Sequence, residues 1–248
     1  EAQKSARAAI PDDRENGSVP SRATLVVVPP PLLRQWEAEV KKCLNESSLA
    51  LVVYGGKGGG KGGGKGGGAK KGGKVKGLGS DALPELKASD ADVAAELAKA
   101  DVVLATYPQL QKEVAKGKSG SGAAKVLSKV SWRRVVLDEC QMVRSSTTQL
   151  AVACRCLRSD FRWMVSGTPL HQGVDDLNGE LAFLGVWPFC LPDQTDGFWS
   201  HRVGVPWSRK DPEALPLLHA LLRGVAVRHT KAQRRTADDT PLLTLPPA

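Results

Sequence analysis

Three sets of short segments, the last a pair, hold residues whose types and spacing could do chemistry. The first is Val135-Val136-Leu137-Asp138-Glu139-Cys140-Gln141, an apolar run that ends in two adjacent carboxylates. At the carboxyl end of a buried strand, Asp138 is placed to hold Mg²⁺ directly or through water. Glu139 is placed to orient or deprotonate a water that attacks a γ-phosphate. The second is Ser166-Gly167-Thr168-Pro169, where small hydroxyl residues around a glycine leave backbone and Oγ donors free for a carboxylate or a phosphate. The third is Pro29-Pro30-Pro31-Leu32-Leu33-Arg34-Gln35-Trp36, with Ala105-Thr106-Tyr107-Pro108 after another apolar run. Helix starts and exposed hydroxyls at such places can hold the phosphates of a DNA backbone.

These segments need a scaffold that brings strand ends to one rim, and the rest of the chain supplies its pattern. Ala23–Val28, Leu49–Tyr54, Asp101–Thr106, Trp132–Leu137 and Phe161–Ser166 are short apolar runs of the kind buried on both faces of a sheet. Helical patterns separate them: Leu32, Leu33, Trp36 and Val40; a shorter helix near Val93–Lys99; and Leu150, Val152, Ala153, Cys156 and Leu157. Alternating strands and helices predict an open parallel α/β sheet, in which ligands sit at the carboxyl ends of the strands. Beyond Pro169 the pattern turns helical and is expected to cover the sheet. Residues 1–22, polar and carrying Pro11, Gly17 and Pro20, read as a linker or truncated edge, and the domain is expected over 23–248.

Two interruptions are low in complexity. The 23 positions Gly55–Gly77 hold 14 Gly and 7 Lys, so an insertion of about 55–80 is expected to be flexible, and 116–124 forms a second loop of that kind. The tract also distorts the charge. Of 35 basic residues against 26 acidic ones, seven lie in it with no acid, leaving 28 against 26 elsewhere. The net charge of +9 is thus no evidence for a basic folded face, though the tract could add sequence-blind affinity for DNA or nucleosomes.

Other features receive plain readings. The 248 residues contain no apolar run near the ~18 to 20 residues of a membrane span, so no membrane partner is expected. The 5 cysteines form no Cys-x-x-Cys pair, so reduced and mostly buried thiols are expected. His171, His201, His219 and His229 lack metal-ligand spacing. Trp132, Trp163, Trp187, Trp199 and Trp207 read as packing anchors.

In this order and at these strand ends, the segments resemble the first ATPase lobe of the Swi/Snf family within helicase superfamily two. Val28-Pro29 through Gln35-Trp36 is similar to its motif Ia, Thr106-Tyr107 to motif Ib, Asp138-Glu139-Cys140-Gln141 to its Walker B box and Ser166-Gly167-Thr168-Pro169 to motif III. Phe183-Leu184-Gly185, Arg228-His229-Thr230-Lys231 and Leu245-Pro246-Pro247 resemble the segments that close the lobe. Cys140-Gln141, Asp175-Asp176-Leu177 and Phe198-Trp199 look most like the subgroup with large insertions and a RING ubiquitin-ligase domain, the SHPRH-like proteins.

The resemblance implies a RecA-like lobe and, in an intact parent, ATP- and Mg²⁺-dependent translocation on double-stranded DNA in the nucleus. That motor would serve chromatin remodelling or repair, with nucleosomes and the ubiquitin machinery among its partners. It also implies roles. Pro29, Leu32, Arg34, Gln35, Thr106 and Tyr107 would contact DNA. Asp138 and Glu139 would act on metal and water, while Gln141, Ser166, Gly167 and Thr168 would couple the nucleotide to the DNA grip. A Walker A loop, G-x-x-x-x-G-K-[ST], and the second lobe have no counterpart in these residues. Gly55–Lys61 has the glycine and lysine spacing, but Gly62 stands where the hydroxyl must be. The expectation is therefore half of a motor, with negligible ATP turnover by itself. An inactive DNA- or protein-binding module derived from the lobe is the alternative.

Overall fold

The structure, a computed structural model, describes residues 18–43, 49–55, 89–114, 126–145, 147–190, 195–228, 233–235 and 238–240. The Gly/Lys insertion after Gly55, the loop at 116–124, His229–Lys231 and Leu245–Pro247 lie outside them. The chain divides into two compact units, Glu1–Trp199 and Ser200–Ala248, where the sequence pattern predicts one lobe from residue 23 onward.

In the first unit the elements run β1 (Val19–Pro20), β2 (Thr24–Val28), α1 (Leu33–Cys43), β3 (Leu51–Val53), α2 (Asp90–Ala98), β4 (Val102–Thr106), α3 (Tyr107–Val114), β5 (Val130–Asp138), α4 (Gln149–Arg155), β6 (Arg158–Val165), α5 (Asp176–Leu184) and α6 (Thr195–Trp199). The second contains a π turn at Ser200–Gly204, α7 (Val205–Ser208) and α8 (Ala214–Val225). All strand pairings are parallel, in the order β3, β4, β2, β5, β6. The two-residue β1 joins β5 on the side that β2 occupies further along. Residues 19 and 20 therefore belong to the sheet rather than to a linker.

Strand alternation builds two apolar layers. Leu25, Val27, Val103, Ala105, Val135 and Leu137 point to one face, where Leu97 of α2, Tyr107 and Leu110 of α3, Ala153 and Cys154 of α4 and Phe183 of α5 close over them. On the other face Val26, Val28 and Leu104 pack against Leu33 and Trp36 of α1. α2 starts on a capping box in which Ser89 and Asp92 exchange hydrogen bonds, satisfying otherwise orphaned amides.

β6 departs from the pattern. Its Arg162 turns inward and donates to the carbonyls of Phe183 (3.1 Å), Arg155 (3.2 Å) and Leu157 (2.7 Å), fastening the ends of α4 and α5 to the strand. Burial pulls this guanidinium down to about 10. The alternate residues Phe161, Trp163 and Val165 are exposed, with the Arg133 guanidinium 4.6 Å from the Phe161 ring centre, so among the described residues this face of the strand is less buried than the other. It is an edge strand, and its residues do not meet the two-sided burial that its apolar sequence predicts.

The tryptophans divide in the same way. Trp132 and Trp199 are packed, but Trp163, Trp187 and Trp207 lie 43–59% exposed. Cys140 and Cys154 are buried, Cys156 and Cys190 half-buried and Cys43 exposed; no disulfide joins described residues. No helix among the described residues is long and apolar enough to cross a membrane.

Replacing Trp132, fully buried with its indole bonded to the Leu127 carbonyl at 2.9 Å, by alanine will cost about 3–5 kcal/mol in urea unfolding. The Trp163→Ala change, at 57% exposure, will cost less than about 1 kcal/mol. A reversed order would mean that the sheet face at β6 is covered.

Candidate functional site

The carboxyl ends of β2, β4, β5 and β6 meet at one rim, as their registers require: Val28 lies beside Thr106, Val27 beside Leu137, and Asp138 beside Val165. The acidic pair after β5 and the Ser-Gly-Thr turn after β6 are thus neighbours.

Asp138 is almost buried and each of its carboxylate oxygens accepts a hydrogen bond. Oδ2 takes the Trp36 indole N–H at 2.6 Å, and Oδ1 takes the Glu139 amide at 3.0 Å. The Tyr107 hydroxyl donates to the Asp138 carbonyl at 2.8 Å. Tyr107 itself is 1% exposed, so its place is inside the rim and not on a DNA surface. This corrects the expectation that it contacts DNA: the residue after β4 opens helix α3 and turns its ring into the core. Thr106 is also buried, with its amide bonded to the Gln109 side chain at 2.7 Å. Among the other candidates of this group, Arg34 and Gln35 are exposed and Pro29 and Leu32 half-buried.

Glu139 takes a left-handed conformation, φ 52°, which a non-glycine residue holds only against strain. The chain turns there into a 3₁₀ segment, Cys140–Val143. The turn is braced by Met142 N–H donating to the Glu139 carbonyl at 3.1 Å. From Glu139 a line of side chains crosses to β6. Gln141 Nε2 donates to Glu139 Oε2 at 2.8 Å, Ser166 Oγ donates to Gln141 Oε1 at 2.9 Å, and the Thr168 amide donates to Ser166 Oγ at 3.0 Å. Gly167 lies in open space within this turn.

Helix α5 supports the turn from behind, a contribution that the sequence motifs do not signal. The Gly179 amide donates to the Arg144 carbonyl at 3.1 Å, and a Cβ at Gly179 would overlap the carbonyl oxygens of Val143 and Arg144. Next to it, buried Glu180 accepts a hydrogen bond from the Cys140 thiol at 3.3 Å. Burial raises the Glu180 carboxyl to about 7, the Cys140 bond opposes this and the nearby Asp176 charge adds to it. Burial likewise pushes the Cys140 thiol up to about 12, so Cys140 is a packing group and not a nucleophile.

A shallow cleft of about 370 Å³ beside the turn is lined by Arg144, Gln172, Asp175, Asp176, Asn178 and Trp199, and excludes Asp138 and Glu139. Its two carboxylates make it a poor seat for a phosphate. No cluster of three or more His, Cys, Asp or Glu side chains suited to a metal occurs among the described residues.

A family model, the SNF2-related domain, matches residues 4–241. The chain belongs to this family. DNA repair protein RAD5B of Arabidopsis thaliana is 30% identical over 224 residues, covering 90% of this chain and 14% of that protein. E3 ubiquitin-protein ligase SHPRH of Homo sapiens is 29% identical over 213 residues, 79% of this chain and 11% of that protein. The SNF2-related chain thus spans a small part of either relative. Among solved structures, the Sulfolobus solfataricus SWI2/SNF2 ATPase core in complex with dsDNA superposes with a TM-score of 0.57 at 21% identity, over 97% of this chain and 40% of that one. The fold is accordingly that of the RecA-like ATPase core, and RAD5- and SHPRH-type relatives agree with the subgroup that the sequence resembles.

The oxygens of the SNF2-related rim suit a hard dication. Each Asp138 oxygen keeps a lone pair after its one hydrogen bond, and Mg²⁺ prefers one or two carboxylates, water and phosphate oxygens to a full protein cage.

Two measurements check the buttress. Gly179→Ala will destabilise the chain by about 1–3 kcal/mol in urea, because α5 must withdraw from the turn. The Glu180 carboxyl is raised in the fold, so its contribution is fully present below the ordinary 4.5 and is lost as the pH rises through about 7. Unfolding at a series of pH values will show native stability falling across that window, by up to about 3 kcal/mol, relative to Glu180→Gln. Parallel curves would remove Glu180 from this role.

Proposed function

We propose that this chain supplies the Walker B and motif Ia, Ib and III half of the first lobe of an ATP-dependent DNA translocase of the chromatin-remodelling or DNA-repair type, acting in the nucleus. The observation that carries this reading is the continuous hydrogen-bonded line from Glu139 through Gln141 to Ser166 and Thr168 at one rim of the sheet. Asp138 is the Mg²⁺-holding carboxylate. Bound there with ATP, the ion would neutralise charge that develops on the phosphates during transfer. Glu139 Oε1, beyond the bond that Gln141 makes to Oε2, orients or deprotonates the attacking water. Gln141, Ser166, Gly167 and Thr168 relay the nucleotide state between the two strand ends.

Double-stranded DNA is the partner that the exposed first turn of α1 supports. Arg34 and Gln35 project from it to solvent, with Pro29 and Leu32 beside them at the end of β2. Tyr107 contributes by bracing Asp138 rather than by touching DNA. Nucleosomes as the substrate, and a link to the ubiquitin machinery, extend the same reading to the larger polypeptide.

The test combines binding with turnover. The chain will bind a labelled duplex without sequence preference, and Arg34→Ala will weaken binding and lower the slope of log affinity against log salt by about 0.9. ATP turnover by the chain alone will be negligible with or without duplex. Binding indifferent to Arg34 would overturn the DNA assignment, and DNA-stimulated hydrolysis abolished by Glu139→Gln would show that these residues suffice as a motor.

A further inference from the structure

The indole of Trp36 and the carboxylate of Asp138 are 102 residues apart in sequence and 2.6 Å apart in space. The bond joins the helix that carries Arg34 and Gln35 to the carboxylate at the end of β5. We propose that Trp36 is a positioning residue through which metal occupancy of Asp138 is registered by helix α1 and so by its DNA-facing turn. The inference rests on the reading of Asp138 as a metal ligand and adds to it a physical route out of the site.

The chemistry of the bond makes it responsive. An N–H donor held this close to a carboxylate forms a charge-assisted bond, stronger than one between neutral groups. A hard dication on the same carboxylate draws electron density from both oxygens and weakens Oδ2 as an acceptor. The indole and the ion are therefore in competition for one charge, although Oδ2 has lone pairs for both. Linkage is reciprocal: whatever the ion takes from the indole bond, the indole bond takes from the ion's affinity.

The helix is built to feel the loss. α1 has no fully buried residue, and its apolar contact with the sheet runs through half-buried Leu33 and Trp36 against Val26, Val28 and Leu104. Its other described polar contacts, Lys41 with Glu37 and Lys42 with Glu39, stay within the helix. Arg34 and Gln35 immediately precede Trp36, so a change in the seat of the indole is carried directly to the exposed turn.

The experiment uses the 248-residue chain with Mn²⁺ as the metal probe, its affinity read by electron paramagnetic resonance, and Mg²⁺ for nuclear magnetic resonance. Trp36→Phe keeps a ring in the apolar seat and deletes only the donor. It will tighten Mn²⁺ binding by about three- to tenfold, a part of what a hydrogen bond to a charged group is worth, because Oδ2 has a lone pair for each partner and the two compete only for its charge. Asp138→Asn will abolish that binding. In the native chain the assigned Trp36 indole proton will shift upfield as Mg²⁺ saturates the site, a signature that a purely packing residue would not give and that needs no variant to fold. Mn²⁺ affinity unchanged or weaker in Trp36→Phe, or an indole resonance that stays put while Asp138→Asn abolishes binding, would overturn the coupling alone. Mn²⁺ binding unaffected by Asp138→Asn would overturn the metal reading of the rim, and the inference with it.

Discussion

The carboxyl end of β5 is the point on which the rest of the arrangement depends. An almost buried carboxylate needs donors, and Asp138 finds them in two places: the indole of α1 and the amide of the next residue. The carbonyl of the same residue takes the Tyr107 hydroxyl from the start of α3. One residue therefore gathers hydrogen bonds from helices on opposite faces of the sheet, since Trp36 belongs to one apolar layer and Tyr107 to the other. Moving either helix requires a polar group at the centre of the rim to change partner, which is costlier than the sliding of apolar surfaces.

That fixed point makes the strained residue beside it affordable. A left-handed glutamate costs on the order of 1–2 kcal/mol, and it persists only where neighbours over-determine it. Here the bond from its own amide to Asp138 Oδ1 sets its start, the 3₁₀ turn sets its exit, and α5 blocks relaxation from behind through the contact at Gly179. The conformation places the Glu139 carboxylate within reach of Gln141, whose amide spans the gap to Ser166 on the adjoining strand. An extended Glu139 would continue β5 and carry its side chain away from that partner.

The order of strands and helices, and the meeting of their tips, were legible because each central strand is a short β-branched run between helical patterns. β6 carries the same signal, and its exposed Phe161, Trp163 and Val165 show the limit: composition reports that a strand is apolar, not how deeply each of its faces is buried. Tyr107 was misread because the residue after a strand can open a helix and turn inward as easily as it can face a ligand. Val19 and Pro20 are too few to show a period, and only their pairing with Val130 and Ser131 reveals them as sheet. The bond from Trp36 to Asp138 and the support from Gly179 and Glu180 are tertiary contacts between segments whose spacing along the chain carries no trace of them.

The geometry of α1 explains how one helix can serve two surfaces. Successive residues of a helix are rotated by roughly 100°, so Arg34 and Gln35 can face solvent while Trp36, the very next residue, turns beneath the helix to the sheet. Eleven residues make a rod of about 16 Å, stiff enough to move as a unit. Because no residue of that rod is fully buried, apolar packing supplies less of its attachment than it does for α2 or α4, whose alanines, leucine and cysteine lie deep in the larger core. A single strong polar bond then accounts for an unusually large share of what fixes its orientation. The same bond on a deeply packed helix would be a minor contribution to a rigid interface; on α1 it is a hinge pin set directly against the carboxylate at the centre of the rim.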